Sequence, residues 1–324
     1  MLGEMDKVAV DMRPTHPHVT FVVPAYNEAA SLPLTLARIA AAADALSLPF
    51  DTLVIDDGST DGTADVVRNA PAALGARLLR FSRNFGKEAA LTAGLDHAEG
   101  DVVMCLDSDG QHPPELLGEM LGHWRRGRDM IYGVRADRAS EGAIKRWGTR
   151  FFYSLMRRGS RLDLPEDAGD FRLMDRCVVV ALRALPERRR FMKGIFAWVG
   201  FDSVGLPYTP GERAAGQSHY SHRKLTQLAW HGVTSFTALP LRLSVMVGAL
   251  LAFAAIAYGT YLSVLYLLYG HDVPGWTTVV VSIMFLSGLQ FLFIGVVGEY
   301  LAQVFEEVKG RPTYLIAEDR GPGR

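Results

Sequence analysis

The sequence predicts an α/β protein with a mainly parallel sheet domain, an amphipathic juxtamembrane helix and a two-helix transmembrane hairpin. Three observations support this fold class. Short apolar runs alternate with helical patterns in the first part of the chain. Residues 218–239 carry apolar side chains at helical spacing. Residues 241–269 and 276–297 are almost wholly apolar, and each run is long enough to cross a bilayer.

Each predicted strand is an apolar run that is short enough to be a buried strand. The predicted strands are residues 19–23, 52–55, 78–81, 101–106 and 130–134. Strands that alternate with helices form a mainly parallel sheet with both faces covered. Ligands of such sheets bind at the carboxyl ends of the strands, so the functional residues are expected there.

Helical patterns fill the connections between these strands. The predicted helices are residues 31–46 with Ser31 as N-cap, a helix opened by residues 61–63, residues 86–98, and residues 113–126 with proline in the first turn. No G-x-G-x-x-G follows the first strand and no G-x-x-x-x-G-K-[ST] occurs. This counts against a dinucleotide oxidoreductase and a P-loop enzyme.

Composition limits the class of protein further. The chain has 324 residues, a formal net charge of −1 and two cysteines, so it is not a disulfide-stapled scaffold, and no nucleic-acid partner is expected. Residues 1–124 contain eight basic and 18 acidic side chains, whereas residues 125–193 contain 18 basic and nine acidic ones. An acidic first part followed by a basic part suits a site in which the first part holds a metal cation and the second part holds anions. The alternative, that arginine-rich helices present solvated faces, is preferred for most of these arginines.

The two apolar runs predict a membrane topology. Their link, residues 270–275, has no Lys or Arg, whereas basic residues lie outside the pair. The flanking basic residues are Arg223, Lys224, Arg242, Lys309 and Arg311. The positive-inside rule therefore places the sheet domain and both termini in the cytoplasm. The alternatives are buried helices of a soluble core and, for residues 218–239, a helix packed on the soluble domain instead of the leaflet.

The chain is thus divided into five parts. They are an N-terminal tail (1–17), a catalytic domain (18–217), an amphipathic segment (218–239), two transmembrane helices (240–298) and a cytoplasmic C-terminal segment (299–324).

Polar clusters mark the candidate site. They are residues 24–28 (PAYNE), 56–61 (DDGSTD), 107–111 (DSDGQ) and 166–172 (EDAGDFR). Asp107 and Asp109 suit Mg²⁺ or Mn²⁺, which takes one or two carboxylates and completes its shell with phosphate and water. A D-x-D alone is weak, because Asp is also common in turns and helix caps.

These clusters also resemble a known family. Residues 22–28 (VVPAYNE), 55–63 (IDDGSTDGT) and 107–109 (DSD) resemble the inverting glycosyltransferases of family two, which have a GT-A fold. Further runs resemble the bacterial polyprenyl-phosphate glycosyltransferases, relatives of dolichol-phosphate mannose synthases. These runs are residues 83–88 (RNFGKE), 169–176 (GDFRLMDR), 190–194 (RFMKG), 298–300 (GEY) and 306–312 (EEVKGRP). The resemblance covers about residues 18–315.

The resemblance implies transfer of a sugar, with inversion, from a nucleotide-sugar donor to undecaprenyl phosphate at the bacterial inner membrane. UDP-glucose is the leading donor, followed by mannose, N-acetylhexosamine and aminoarabinose derivatives. A homotetramer is also implied. The implied donor site comprises Pro24, Tyr26 and Glu28 around uridine, Asp57 at the base or ribose, Asp107 and Asp109 at the metal and diphosphate, and Gln111 and Lys87 on the donor side.

The implied catalytic carboxylates are Asp170, at the reacting centre, and Asp109. The implied acceptor-phosphate ligands are Arg135 and Arg213, helped by Arg146 and Arg150. One departure concerns Gln111, since many relatives have Asp-Leu-Gln where this chain has Asp-Gly-Gln over residues 109–111.

Several of these residues have structural alternatives. These are Asp56 as a turn cap, Tyr26 as core filler, Lys87 as the start of a helix, Arg172 and Arg176 as partners of Asp170 and Asp175, and His97, His112 and His123 as structural or solvated residues.

Three other functions compete with the transfer reaction. A processive polysaccharide synthase would need a Q-x-x-R-W motif, which no glutamine of this chain begins, and more membrane helices. A non-catalytic nucleotide-binding scaffold is disfavoured by the full set of carboxylates. A soluble glycosyltransferase with a helical oligomerisation tail would not resist carbonate extraction from membranes.

Overall fold

A computed structural model describes residues 13–136, 168–188, 190–211, 239–269 and 275–321. The strands are β1 (Val19–Ala25), β2 (Phe50–Asp56), β3 (Ala76–Phe81), β4 (Val102–Cys105), β5 (Met130–Arg135), β6 (Ala168–Asp175), β7 (Ser203–Tyr208) and β8 (Ile316–Arg320). The helices are α1 (Leu32–Ala45), α2 (Thr63–Arg68), α3 (Lys87–His97), α4 (Leu117–Arg125), α5 (Arg176–Ala184), α6 (Met192–Trp198), α7 (Leu239–Tyr269) and α8 (Trp276–Lys309).

Within these described ranges, the strands form one sheet in the order β7-β5-β6-β4-β1-β2-β3-β8. β1 is parallel to β2 and β4, β2 is parallel to β3, and β5 is parallel to β7. β6 runs antiparallel between β4 and β5, and β8 is antiparallel to β3. The predicted mainly parallel sheet is therefore confirmed, and the two antiparallel strands are additions that the apolar pattern did not predict.

The first five strands and first four helices follow the predicted order. Two helix starts differ in detail from the prediction. Ser31 is the N-cap residue of α1 as predicted, but its hydroxyl donates to the Glu28 carboxylate and its side chain caps no backbone N–H. The helix predicted from residue 113 begins as a short 3-10 helix, Pro114–Leu116, before α4 starts at Leu117.

Two apolar clusters cover the two faces of the sheet. Helices α1, α2 and α4 pack on one face, with Trp124 and Phe21 among the buried side chains. Helices α3, α5 and α6 pack on the other face. A Cβ on Gly94 would lie 2.2 Å from Val22 Cγ1, so α3 lies directly against β1. The start of α3, at Gly86 and Lys87, lies near the residues that follow β1, β2 and β4.

Helices α7 and α8 contain the two apolar runs. The most apolar 18-residue stretches within residues 243–268 and 278–309 have mean hydropathies of 1.9 and 2.3, so both helices are long and apolar enough to cross a membrane. Their apolar side chains are exposed, as Leu267 shows at 81%. The alternative of buried core helices is therefore wrong. Helix α8 also extends to Lys309, twelve residues beyond the predicted end at residue 297.

The C-terminal segment returns to the sheet. Gly310, at φ +68°, ends α8, and β8 then pairs with β3. The Tyr314 ring stacks on Phe81 with centroids 5.2 Å apart, and its hydroxyl donates to Asp96 Oδ2 at 2.9 Å. The C-terminal end of the apolar helix pair is thereby attached to the edge of the α/β domain.

A second attachment lies between α5 and α6. The Arg188 backbone N–H donates to the Glu307 carboxylate of α8 at 3.0 Å, and the Arg188 guanidinium donates to the Arg311 carbonyl at 2.7 Å. Two other predicted features, the amphipathic helix over 218–239 and the link over 270–275, lie outside the described residues apart from their last residues, Leu239 and Gly275.

Candidate active site

A cleft of about 710 Å³ opens between the carboxyl ends of β1 and β4. β1 pairs with β4 only as far as Val22, whereas its pairing with β2 continues to Ala25. Pro24 lies beyond the β4 pairing and has no N–H to extend that ladder. The strand order reverses at this point, which is where open parallel sheets bind ligands. The cleft is lined by Pro24, Ala25, Tyr26, Asn27, Glu28, Asp57, Asn84, Gly86, Lys87, Ala90, Asp107, Ser108 and Asp109.

The loop after β1 is fastened to the loop after β2. Asn27 has φ +56°, its N–H donates to Ser59 Oγ at 2.9 Å, and its Oδ1 accepts from the Thr60 N–H at 2.9 Å. Tyr26, the preceding residue, is 47% exposed. The alternative that Tyr26 fills the core is therefore wrong, and its side chain is available to a ligand of the cleft.

Asp57 fastens the loop after β3. Its two carboxylate oxygens accept the backbone N–H groups of Phe85 at 2.6 Å and Gly86 at 2.9 Å. Burial raises the pKa of Asp57, although both hydrogen bonds oppose that shift. Gly58 lies at φ +69°, and a Cβ there would be 2.4 Å from the Arg83 carbonyl carbon. Asp57 thus lines the cleft and also fixes the start of α3.

Asp56, by contrast, is wholly buried and caps the turn after β2. Its Oδ1 accepts the Ser59 N–H at 2.8 Å, and its Oδ2 lies 3.2 Å from Arg80 Nε. The prediction that Asp56 is a turn cap is confirmed.

The loop after β4 brings two carboxylates to the cleft. The Asp107 N–H donates to His112 Nδ1 at 2.9 Å, and the Gln111 N–H donates to Asp109 Oδ1 at 3.1 Å. Gly110, at φ +77°, allows the sharp turn between them. His112 is buried and stacks on Phe171 with ring centroids 4.9 Å apart. The loop is therefore held by its own hydrogen bonds and by a buried histidine.

Lys87 joins this loop to β6. Its ammonium lies 2.6 Å from Asp107 Oδ1 and 2.8 Å from Asp170 Oδ2. Burial opposes the charge of Lys87, but the two carboxylates hold its pKa well above the ordinary value. Burial likewise opposes the charge of Asp170, but Lys87 and then Lys193 hold its pKa below the ordinary value. All three groups are therefore ionised at neutral pH.

Glu88 connects the start of α3 to α6. Its carboxylate accepts the Met192 backbone N–H at 3.0 Å. Burial, followed by the charge of Asp170, raises the pKa of Glu88 to about 7. No role of Glu88 was predicted from the sequence, although Glu88 directly follows Lys87 in the run RNFGKE (residues 83–88).

Gln111 and Arg135 contact each other beside the cleft. Arg135, at the end of β5, donates to Gln111 Oε1 at 2.9 Å and also hydrogen-bonds to Tyr208. Gln111 does not belong to the cleft lining given above. The two residues, which the resemblance assigns to donor and acceptor respectively, are therefore direct neighbours.

The carboxylates fit a cation that is shared with a ligand. Among the described residues, no three His, Cys, Asp or Glu side chains converge as a protein-only metal site requires. Asp107 and Asp109 nevertheless line one cleft, and oxygen ligands of this kind suit Mg²⁺ or Mn²⁺ completed by phosphate. The chemistry of these two carboxylates therefore fits such a cation.

Three predicted acceptor ligands, Arg146, Arg150 and Arg213, lie outside the described residues. Of the alternative pairings of Arg172 and Arg176, the structure supports only a charge interaction of Arg172 with Asp170, whose pKa Arg172 helps to lower. Arg172 is buried, lies 3.6 Å above the Phe196 ring and donates to the Gly169 carbonyl. Arg176 donates to the Ala98 carbonyl at 2.6 Å.

Two residues of the cleft lining, Asn27 and Asn84, were not predicted from the sequence. The prediction that His112 is a structural residue is confirmed, because it supports the loop after β4. Asn27 belongs to the quoted run PAYNE, and His112 directly follows the cluster DSDGQ. Their positions in or beside the polar clusters could have indicated a place near the site. The hydrogen bonds that they form could not be predicted, because these depend on how the loops fold.

Comparison with known proteins agrees with this geometry. The family model described as Glycosyl transferase family 2 matches residues 20–182. A prophage-derived bactoprenol glucosyl transferase of Shigella flexneri is 40% identical over 300 residues, covering 92% of this chain and 97% of that protein. An uncharacterized glycosyltransferase of Synechocystis is 39% identical, covering 93% of this chain and 95% of that protein.

A solved structure shows the same fold. Glucosyl-3-phosphoglycerate synthase of Mycobacterium tuberculosis, in complex with Mn²⁺, UDP-glucose and phosphoglyceric acid, superposes with a TM-score of 0.51. It is 20% identical, and the match covers 73% of this chain and 82% of that one. The sheet, the switch-point cleft and the two sequence relatives lead to one conclusion: the chain is a GT-A glycosyltransferase that belongs to glycosyl transferase family 2.

Proposed function

We propose that this enzyme transfers glucose from UDP-glucose to undecaprenyl phosphate, with inversion, and releases UDP. The single observation that carries the proposal is the cleft at the strand-order reversal, where Asp107, Asp109 and Lys87 meet. The Shigella relative, named a bactoprenol glucosyl transferase, supports glucose and a polyprenyl carrier. Mannose, N-acetylhexosamine and aminoarabinose derivatives are the alternative sugars.

The donor occupies the cleft in this proposal. Tyr26 and Glu28 border the uridine, and Asp57 lies at the base or ribose. Asp107 and Asp109 hold Mg²⁺ or Mn²⁺, which when bound supplies positive charge to the diphosphate. The Lys87 ammonium, already beside Asp107, adds a second positive charge on the same side of the cleft.

The reaction itself is a direct displacement. An acceptor phosphate oxygen forms a bond to the anomeric carbon as the bond from that carbon to the diphosphate oxygen breaks, and UDP leaves with the electron pair. A phosphate monoester with a second pKa near 6 is largely ionised at neutral pH, so it needs little help from a base. Asp170, whose pKa is held low, is a weak base, which favours a role in orienting the acceptor and the Lys87 ammonium.

Arg135 binds the acceptor phosphate in this scheme, because a guanidinium matches phosphate oxygens and stays ionised. Its contact with Gln111 would place the acceptor beside the donor. Arg146, Arg150 and Arg213 are proposed as further ligands of the same phosphate.

Helices α7 and α8 keep the enzyme at the bilayer in this proposal. The lipid tail of the acceptor stays in the membrane, so the cleft must be held at its surface. The contact of Glu307 with Arg188 attaches the end of α8 to the α5–α6 connection, whose next helix is joined to Glu88. With basic residues outside the apolar pair, we place the α/β domain and both termini on the cytoplasmic side of the bacterial inner membrane. A homotetramer stays a prediction.

A panel of radiolabelled nucleotide sugars tests this function. Purified enzyme in detergent is incubated with undecaprenyl phosphate, and label that enters butanol-extractable lipid is counted. UDP-glucose should give the highest transfer, and the product should have the anomeric configuration opposite to that of the donor. Preferred transfer of another sugar would replace glucose, and absence of lipid-linked label with every donor would overturn the proposal.

A further inference from the structure

The loop that carries Asp107 and Asp109 is hydrogen-bonded to one buried side chain, that of His112. His112 is 4% exposed, and its Nδ1 accepts the Asp107 backbone N–H at 2.9 Å. An Nδ1 atom that accepts carries no proton, so the neutral ring has its proton on Nε2. The contact closes a short turn over residues 107–112, whose other internal bond joins the Gln111 N–H to Asp109 Oδ1.

The ring of His112 is itself fixed by aromatic neighbours. It stacks on Phe171 at 4.9 Å with planes 19° apart, and it meets Tyr208 edge-on at 6.0 Å. Phe171 directly follows Asp170 on β6, and Tyr208 hydrogen-bonds to Arg135. One imidazole therefore contacts the carboxylate loop, strand β6, which carries Asp170, and Tyr208 of β7, which bonds to Arg135 of β5.

We infer that His112 is a positioning residue that holds the backbone of Asp107 so that the carboxylates of Asp107 and Asp109 meet a nucleoside diphosphate with its divalent cation. The inference rests on the proposed function. A buried acceptor that is paired with the Asp107 N–H fixes the backbone from which the carboxylate of Asp107 extends. Outer residues that orient cation-holding groups commonly change affinity by about 10–100-fold when they are replaced.

Two substitutions separate the acceptor from the ring. His112→Asn keeps an oxygen acceptor near the position of Nδ1 but removes the stacked ring. His112→Phe keeps the ring on Phe171 but removes the acceptor. His123→Phe serves as the matched control, because His123 lies on α4 and takes no part in the cleft lining.

The readout is the dissociation constant of UDP in the presence of Mn²⁺, measured by calorimetry on the full-length protein in detergent, together with the melting temperature without ligand. We expect His112→Phe to weaken UDP binding about tenfold or more. His112→Asn and His123→Phe should stay within about threefold of the wild type, and His112→Phe should melt within a few degrees of it. A structural role alone would lower melting temperature without this difference between Asn and Phe.

Unchanged UDP binding by His112→Phe, or equal losses by His112→Asn and His112→Phe, would overturn the inference. If His112→Phe does not fold, His112→Leu, which also lacks an acceptor, takes its place in the same comparison. A wild-type protein that binds UDP with Mn²⁺ but transfers no sugar to lipid would contradict the proposed function and leave the His112 comparison intact. A wild-type protein that does not bind UDP with Mn²⁺ would overturn both.

Discussion

Lys87 Nζ lies 2.8 Å from Asp170 Oδ2, although the two residues are far apart in the sequence. Lys87 begins α3, and Asp170 lies on β6. The same ammonium lies 2.6 Å from Asp107 Oδ1. The Lys87 ammonium therefore links Asp107, on the proposed donor side of the site, to Asp170, on the proposed acceptor side. This contact makes Lys87 the residue whose charge both sides share.

Replacement of Lys87 by Gln should lower kcat by about 100-fold or more, because a preorganised charge beside the departing diphosphate is lost. The pKa of Asp170 should rise at the same time, since Lys87 is the main group that holds it low. Steady-state transfer of label from UDP-glucose to undecaprenyl phosphate measures kcat. Lys87→Arg, which keeps the charge, is the control. An unchanged kcat in Lys87→Gln would contradict the assignment.

Arg135→Ala should raise the apparent KM for undecaprenyl phosphate about tenfold and that for UDP-glucose less than threefold, because a guanidinium–phosphate contact stabilises the complex by about 1.5–3 kcal/mol. Steady-state kinetics with each substrate varied in turn measures both values. Arg128→Ala is a matched control, since Arg128 pairs with Asp202 on the exposed surface at 2.6 Å. Equal changes in both KM values would count against an acceptor role.

Glu88 predicts a pH dependence of stability. Its pKa is raised to about 7 in the folded protein, so the folded state binds this proton more tightly than the unfolded chain. The contribution is full below the unfolded pKa near 4.5 and is lost as pH rises through 7. Wild-type protein should therefore melt at a lower temperature at pH 8 than at pH 5.5.

Glu88→Gln isolates this effect, because glutamine does not titrate. The difference in melting temperature between pH 5.5 and pH 8 should be smaller in Glu88→Gln than in the wild type, by an amount equivalent to roughly 2 kcal/mol. Identical pH dependence in the two proteins would show that the environment of Glu88 is not as the structure has it.

Tyr314 tests the attachment of the apolar helices. Tyr314→Ala removes the stacking on Phe81 and should destabilise the protein by about 2–4 kcal/mol, whereas Tyr314→Phe removes only the hydroxyl contact with Asp96 and should cost about 1 kcal/mol. Thermal unfolding in detergent gives the order of the two effects. Equal stability of Tyr314→Ala and the wild type would mean that β8 is held by its other contacts alone.

Much of the sheet could be predicted because its central strands are continuous apolar runs. β1 is buried along its whole length, so its apolar sequence predicts a strand without any knowledge of the neighbouring strands. β8 could not be predicted in this way, because Ile316–Arg320 is short and mostly charged. It is a strand because α8 delivers it to β3, where Glu318 and Asp319 pair with Arg68 and Arg77.

Part of the candidate site could likewise be predicted from the sequence, and part of it could not. Asp57, Asp107 and Asp109 follow apolar runs, so their meeting at one edge of the sheet could be predicted. The contact of Lys87 with Asp170 depends on β6 running antiparallel beside β4, which no local pattern indicates. The same holds for His112, whose role is visible only through its contact with the Asp107 backbone.

The central claim is that this cleft transfers sugar to a lipid phosphate with the help of the carboxylate pair. The most direct measurement is lipid-extractable label from radiolabelled UDP-glucose and undecaprenyl phosphate, compared between the wild type and Asp109→Ala at equal melting temperature. The account predicts cation-dependent transfer by the wild type and at least a 100-fold loss in Asp109→Ala. Normal turnover by a folded Asp109→Ala protein would contradict it.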